Sequence, residues 1–238
     1  MSSREIIAKS GDQGSLEERI LAVATELFIR HGYKGVSYLA IAKELGIGHS
    51  LVHYYFRTKG VLAATALDAY VASTKSDFRA IWTDPHGTML TRFVRSRDWI
   101  WNQYILFNPG GIGSQNWGML SVFAAEADLL TPAMRKTIRQ SLEEMDAFIE
   151  TGIVLAIQQG ELSADAPTHE LVLQISSLLH TSRHIIRFEG TFQRLDDLLR
   201  WTFEVIMRAY GAATERPHWP RVGSFRQPTQ SRASQSRT

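Results

Sequence analysis

Residues 37–59 read Ser37-Tyr-Leu-Ala-Ile-Ala-Lys-Glu-Leu-Gly46-Ile-Gly-His49-Ser-Leu-Val-His53-Tyr-Tyr-Phe-Arg-Thr58-Lys59. Leu39, Ala42 and Leu45 recur at helical spacing, which predicts a short helix with one apolar face. Gly46 stops it, because glycine enters the left-handed region without a Cβ penalty. Ile47 is a lone apolar residue in the turn, suited to plug two crossing helices. A second helix over about residues 48–55 is too short to stand alone. It carries His49, Ser50, His53, Tyr54 and Tyr55, all able to bond to bases or phosphates. A short helix of this kind after a glycine turn predicts a helix-turn-helix with a DNA-recognition helix.

Working outward, Ser15 and Glu18 form an S-x-x-E capping box that opens a helix ending at Gly32. Ile20, Ala24, Leu27 and Phe28 give it one face. Ser37 caps the first helix of the motif, and Thr58 caps a longer helix that follows the recognition helix to about residue 83. Asp84-Pro85-His86-Gly87 breaks the chain. Helices are expected over 88–107, 115–129, from Thr131-Pro132 to near Gly160, from Pro167-Thr168 to near Gly190, and over 192–210. No segment reads as a strand, and no repeat is present. The fold class is all-α: a three-helix helix-turn-helix domain at 15–60, then a larger helical bundle at 61–213. Residues 1–14 and the Arg/Ser/Gln-rich 214–238 read as disordered ends.

Composition fits a soluble globular chain: 238 residues, 44% hydrophobic and 21% charged. The absence of cysteine excludes disulfides, thiolate metal sites and cysteine nucleophiles, and makes the cytoplasm the expected compartment. No apolar run reaches the roughly 18 residues of a membrane span. The net charge of +2 is uneven. Residues 1–60 carry 8 Lys and Arg against 6 Asp and Glu, residues 61–213 carry 13 against 17, and residues 214–238 carry 5 against 1. The basic ends can meet a polyanion; the acidic middle is unsuited to it.

The phosphate clamp expected from this pattern has Ser37 and Tyr38 on one side and Thr58 and Lys59 on the other, at two helix N-termini. His49, Ser50, His53 and Tyr54 lie between them, at the position for base edges. Tyr55 divides between packing and phosphate contact, and Phe56 belongs to the core. Residues 88–123 concentrate aromatics. Trp99, Trp101, Tyr104, Phe107, Trp117 and Phe123, with Gln103 among the polar groups, suit a pocket for an aromatic or apolar small molecule, although any single one of them is more often plain packing. His180 and His184 share a helix face at i, i+4. Thr181 stands where a metalloprotease motif needs glutamate, so a contact between two chains is the better assignment than zinc. The Gly110-Gly111-Ile112-Gly113 segment lacks the preceding strand and the spacing of a nucleotide loop. No catalytic constellation is present, and no metal or cofactor is expected.

Phe28-Ile-Arg-His-Gly-Tyr33, Val36-Ser37, Ile41-Ala-Lys-Glu-Leu-Gly-Ile47 and Leu51-Val-His-Tyr-Tyr-Phe-Arg-Thr-Lys59, with Leu62 behind them, resemble the DNA-binding domain of the tetracycline-repressor (TetR-like) family of bacterial regulators. Histidine at position 53 departs from that pattern, where an aromatic such as tyrosine is common. The resemblance implies a transcription regulator, most simply a repressor released from a palindromic operator by an effector bound in the bundle. It also implies a homodimer formed through the helices near 168–189 and 192–210. An activator, or a DNA binder without an effector, would share the motif; an enzyme is disfavoured.

Overall fold

The computed structural model describes residues 14–189, 191–212 and 219–220. The described residues form nine α-helices, with two short 3₁₀ turns between them: α1 Leu16–His31, α2 Tyr38–Leu45, α3 His49–Tyr55, α4 Lys59–Trp82, α5 Met89–Phe107, α6 Met119–Ala125, α7 Pro132–Gln158, α8 Thr168–Glu189 and α9 Gln193–Tyr210. Two isolated bridges, Ile112 with Thr191 and Leu162 with Gly211, are the only β pairings among the described residues. The expected disorder of residues 1–14 falls almost wholly on residues outside those described.

The local signals act where the sequence puts them. Ser15 and Glu18 close the capping box at the head of α1. Ser37, Thr58, Thr88 and Thr131 each accept a backbone N–H at a helix start, satisfying donors that have no partner within the helix. Gly46 ends α2 in the left-handed conformation, at φ 65° and ψ 31°. The buried face of α2 differs from the expected one. Tyr38, Ile41 and Ala42 are buried, while Leu39 is 70% exposed. Both sets fit helical spacing, and the packing of α1 and α3 selects between them.

The helix expected over 115–129 is shorter. Gly118 precedes α6, and a 3₁₀ turn, Ala127–Leu129, follows it. Residues before Gly118 are drawn out by Asn108, whose amide donates to Gln115 O and whose carbonyl accepts from Gln115 N–H.

α4 belongs to both halves of the molecule. Its first turns pack on α1, and its remainder packs on α7 and α5. The three-helix domain and the bundle therefore share one continuous hydrophobic core. Of the expected tail at 214–238, only Trp219 and Pro220 lie among the described residues. Trp219 is buried against Phe203, and Arg97 reaches the Pro220 carbonyl at 2.9 Å. An indole can pack on an aromatic ring while its N–H finds a polar partner.

Candidate nucleic-acid interface and effector cavity

α3 is anchored by Val52, which is fully buried, and by Phe56 just beyond its end. Those anchors turn His49, Ser50, His53, Tyr54 and Tyr55 outward. Tyr54 is 78% exposed and meets Tyr55 edge-to-face at 5.3 Å. His53 lies between His49, at 6.1 Å, and the ring of Tyr38, at 4.3 Å. Neighbouring rings thus set the orientation of the His53 side chain.

Tyr38 leaves the expected clamp. Its hydroxyl donates to the Phe56 carbonyl at 2.7 Å, and burial pushes its pKa up. A phenol already bonded inside the domain ties the start of α2 to the end of α3 and has no free donor for phosphate. Ser37 and Thr58 remain at the surface as helix caps. Lys59 opens α4 with its ammonium over the Tyr33 ring, at 4.6 Å, and 3.5 Å from the Lys34 carbonyl. Burial pushes its pKa down, and the charge of Glu126 opposes that shift.

The aromatic segment divides into two groups. Trp99 and Trp117 line a cavity of about 290 Å³, together with Phe78 of α4, Leu120 and Ser121 of α6, and His180, Arg183 and His184 of α8. This is near the lower end of the roughly 300–1,000 Å³ typical of small-molecule sites. The other aromatics expected there are packing. Trp101 meets Phe192 at 5.0 Å, and the Tyr104 hydroxyl donates to Gly113 O at 3.0 Å. Arg30 stands 5.1 Å over the Phe107 ring, and Phe123 meets Phe28 at 5.6 Å. Gln103 is buried on α5, away from the cavity lining. Composition alone could not separate these groups, because both kinds of aromatic sit at helical spacing.

Polar contacts between the cavity and the three-helix domain join residues too far apart in sequence for any local pattern to reveal. Arg183 donates to Asn116 Oδ1 at 2.6 Å, and Asn116 Nδ2 donates to the Arg30 carbonyl, near the end of α1, at 3.0 Å. The Glu126 carboxylate accepts the backbone N–H groups of Tyr33, at 2.5 Å, and Lys34, at 3.3 Å. It occupies the space a Cβ at Gly32 would need, only 2.6 Å away, and Gly32 has φ +73°. α6 thus has one side on the cavity, through Leu120 and Ser121, and another on the three-helix domain, through Phe123.

Two family models match the chain: that of bacterial regulatory proteins of the tetR family over residues 20–66, and that of the tetracyclin repressor-like C-terminal domain over residues 119–201. Together they cover more than half of it. The chain belongs to the TetR family. No curated protein matches it. Similar solved structures include the reduced form of Escherichia coli NemR, 16% identical, with 78% of this chain and 94% of that chain covered and a TM-score of 0.65. A TetR transcriptional regulator from Legionella pneumophila is 18% identical, with 82% and 99% covered and a TM-score of 0.68. One from Chloroflexus aurantiacus is 21% identical, with 83% and 96% covered and a TM-score of 0.67. At these identities the likeness concerns the fold. The protein is a TetR-family DNA-binding transcription regulator, and no described helix is long and apolar enough to cross a membrane.

Proposed function

We infer that this regulator is a homodimeric repressor that leaves a palindromic operator when a small molecule fills the cavity behind α6. The observation that carries this is the direct bonding of the cavity wall to the recognition domain, through Arg183, Asn116 and the Arg30 carbonyl. A ligand moves such an equilibrium only by binding its two states unequally. A site whose wall also holds the DNA-binding domain supplies that inequality. The protein acts where the operator is, in the cytoplasm.

The dimer is assigned to α8 and α9. Most of the apolar residues expected there, including Leu171, Ile175, Leu179, Leu199, Phe203 and Ile206, are buried in the protomer's own core. A separate apolar set faces outward: Leu173 and Phe188 on α8, and Leu198, Trp201 and Val205 on α9. Phe188 is 91% exposed and Trp201 53%. Large aromatics open to water on adjacent helices favour an isologous contact. Such a dimer would set two α3 helices about 34 Å apart on one face of the duplex.

The DNA contacts proposed are Ser37, Thr58 and Lys59 to phosphate, with His49, Ser50, His53 and Tyr54 to base edges and Tyr55 at their margin. Lys59→Ala is expected to weaken binding to all duplexes and to reduce the salt slope by about 0.9. Titration at several salt concentrations checks it, and an unchanged slope removes Lys59 from the phosphate contacts. The function as a whole is tested by selecting duplexes from a random pool. The expected product is a palindrome with half-sites about one turn apart, lost by a Trp201→Asp variant that sediments as a monomer. A selected site without two-fold symmetry, or a Trp201→Asp protein still dimeric, overturns this assignment.

A further inference from the structure

We propose that the effector is an anion: a compact aromatic or apolar body bearing one carboxylate-like or sulfonate-like group, seated on the guanidinium of Arg183. This rests on the reading of the α6 cavity as the effector site.

The argument begins with the state of Arg183. It is only 5% exposed, yet it lines the cavity. Burying a guanidinium is costly unless a counter-charge or a full set of acceptors compensates. Its two hydrogen bonds go to neutral oxygens, Asn116 Oδ1 at 2.6 Å and Ser121 O at 3.4 Å. Its Nε–H is buried with no partner. Among the described residues no carboxylate forms an ion pair with it. The neighbouring charge makes matters worse, since burial and Arg187 both push its pKa down.

The surroundings extend the pattern. His180 and His184 flank Arg183 on the same cavity wall. Burial lowers the pKa of both; Arg183 and Arg187 lower His184 further, and Asp146 opposes the shift at His180. Two acids interact with other residues of the cavity wall, and neither pairs with Arg183. Asp77 accepts Trp99 Nε1 at 2.8 Å, and Asp146 faces His180. Most of the rest of the lining, including Phe78, Trp99, Trp117 and Leu142, is apolar or aromatic, and Thr74, Ser121, Thr181 and Ser182 add only neutral hydroxyls. An apolar cavity with one uncompensated buried cation selects an amphipathic anion. A neutral hydrocarbon would leave the guanidinium unsatisfied, and a cation would be repelled. The chemistry also supplies a signal. An anion drawing Arg183 toward itself competes with Asn116 Oδ1, and Asn116 is what holds the Arg30 carbonyl.

The test uses two fluorescent probes of one shape, 1-anilinonaphthalene-8-sulfonate and its neutral counterpart N-phenyl-1-naphthylamine, on the full chain. The wild type is expected to bind the sulfonate at least about tenfold more tightly than the amine. Arg183→Met should lose about tenfold or more in sulfonate affinity and keep its affinity for the amine, while Arg183→Lys recovers part of the loss. Retained amine binding shows that the variant cavity is intact. Should Arg183→Met not fold, the wild-type preference still decides. Equal wild-type affinities, or equal losses for both probes in Arg183→Met, overturn the anionic assignment. Leu142→Trp, which fills the cavity, should abolish binding of both probes. Unchanged binding of both in Leu142→Trp would overturn the effector-cavity reading itself, and this proposal with it.

Discussion

Gly152→Leu is expected to lower the stability of the folded chain by on the order of 3–5 kcal/mol, because it drives a side chain into a backbone contact and beside a buried charge. A Cβ at this position of α7 would lie 2.8 Å from both the Trp82 ring and the Trp82 carbonyl, and 3.0 Å from Arg92 Cδ. Trp82 is fully buried and its indole donates to Ser96 Oγ at 3.1 Å, so it has no free space to move into. Arg92 is fully buried as well. Its guanidinium donates to Trp82 O at 3.2 Å and to Asp84 O at 2.9 Å. Burial pushes its pKa down, against the charges of Glu161 and Asp84. Moving Trp82 therefore takes an acceptor from a buried cation in addition to overpacking the core. Most single domains have only about 5–15 kcal/mol in total. Urea unfolding measures the loss; a midpoint within error of wild type would mean that α4 and α7 do not pack at this distance in solution.

Trp219→Ala is expected to cost about 2–3 kcal/mol, somewhat below the 3–5 typical of tryptophan in a closed core, because the indole is 7% exposed and not sealed inside the bundle. The indole lies 5.8 Å from Phe203 and 5.3 Å from the Arg97 guanidinium, and its Nε1–H donates to Asp196 Oδ1 at 3.3 Å. Arg97 and Asp196 are both buried, at 3.5 Å from each other. Burial raises the pKa of Asp196, while Arg97 and the indole hydrogen bond oppose the rise. Removing the indole takes away one donor and admits water to the pair. The same urea experiment reads it. A loss under about 0.5 kcal/mol, the size of an ordinary surface change, would show that residues near 219 contribute nothing to the bundle.

The helices were legible because their ends are written in single residues. Ser15, Ser37, Thr58, Thr131 and Gly46 each act through a bond or a backbone angle local to the position. The outward set on α3 was legible for the same reason, since Val52 and Phe56 fix which side faces inward. What failed to show depends on partners distant in sequence. Nothing local distinguishes Tyr38 as the donor to Phe56 from Tyr54 in water. The aromatics of α5 looked alike, and only the paths of α9 and the 108–118 connection separate Trp99 at the cavity from Trp101 against Phe192. Trp219 was hidden by its neighbours, whose polarity describes the segment as a whole and says nothing of one indole. The links from Arg183 through Asn116 to Arg30 span 67 and 86 residues, beyond any local pattern.

α4, the 24-residue helix common to both halves, has a mechanical consequence. At 1.5 Å per residue it is a rod of about 36 Å. Its foot carries Thr58 and Lys59 at the recognition domain, and its upper half passes the cavity at Tyr70, Thr74 and Phe78. A rod of that length works as a lever: a tilt of about 5° displaces its tip by about 3 Å, close to the 3.4 Å rise of one base pair. In the dimer proposed above both tips would swing, and the mismatch would double to about two base-pair steps. On that proposal, a displacement of the cavity wall no larger than a bond length would be geared up to a register error on the duplex.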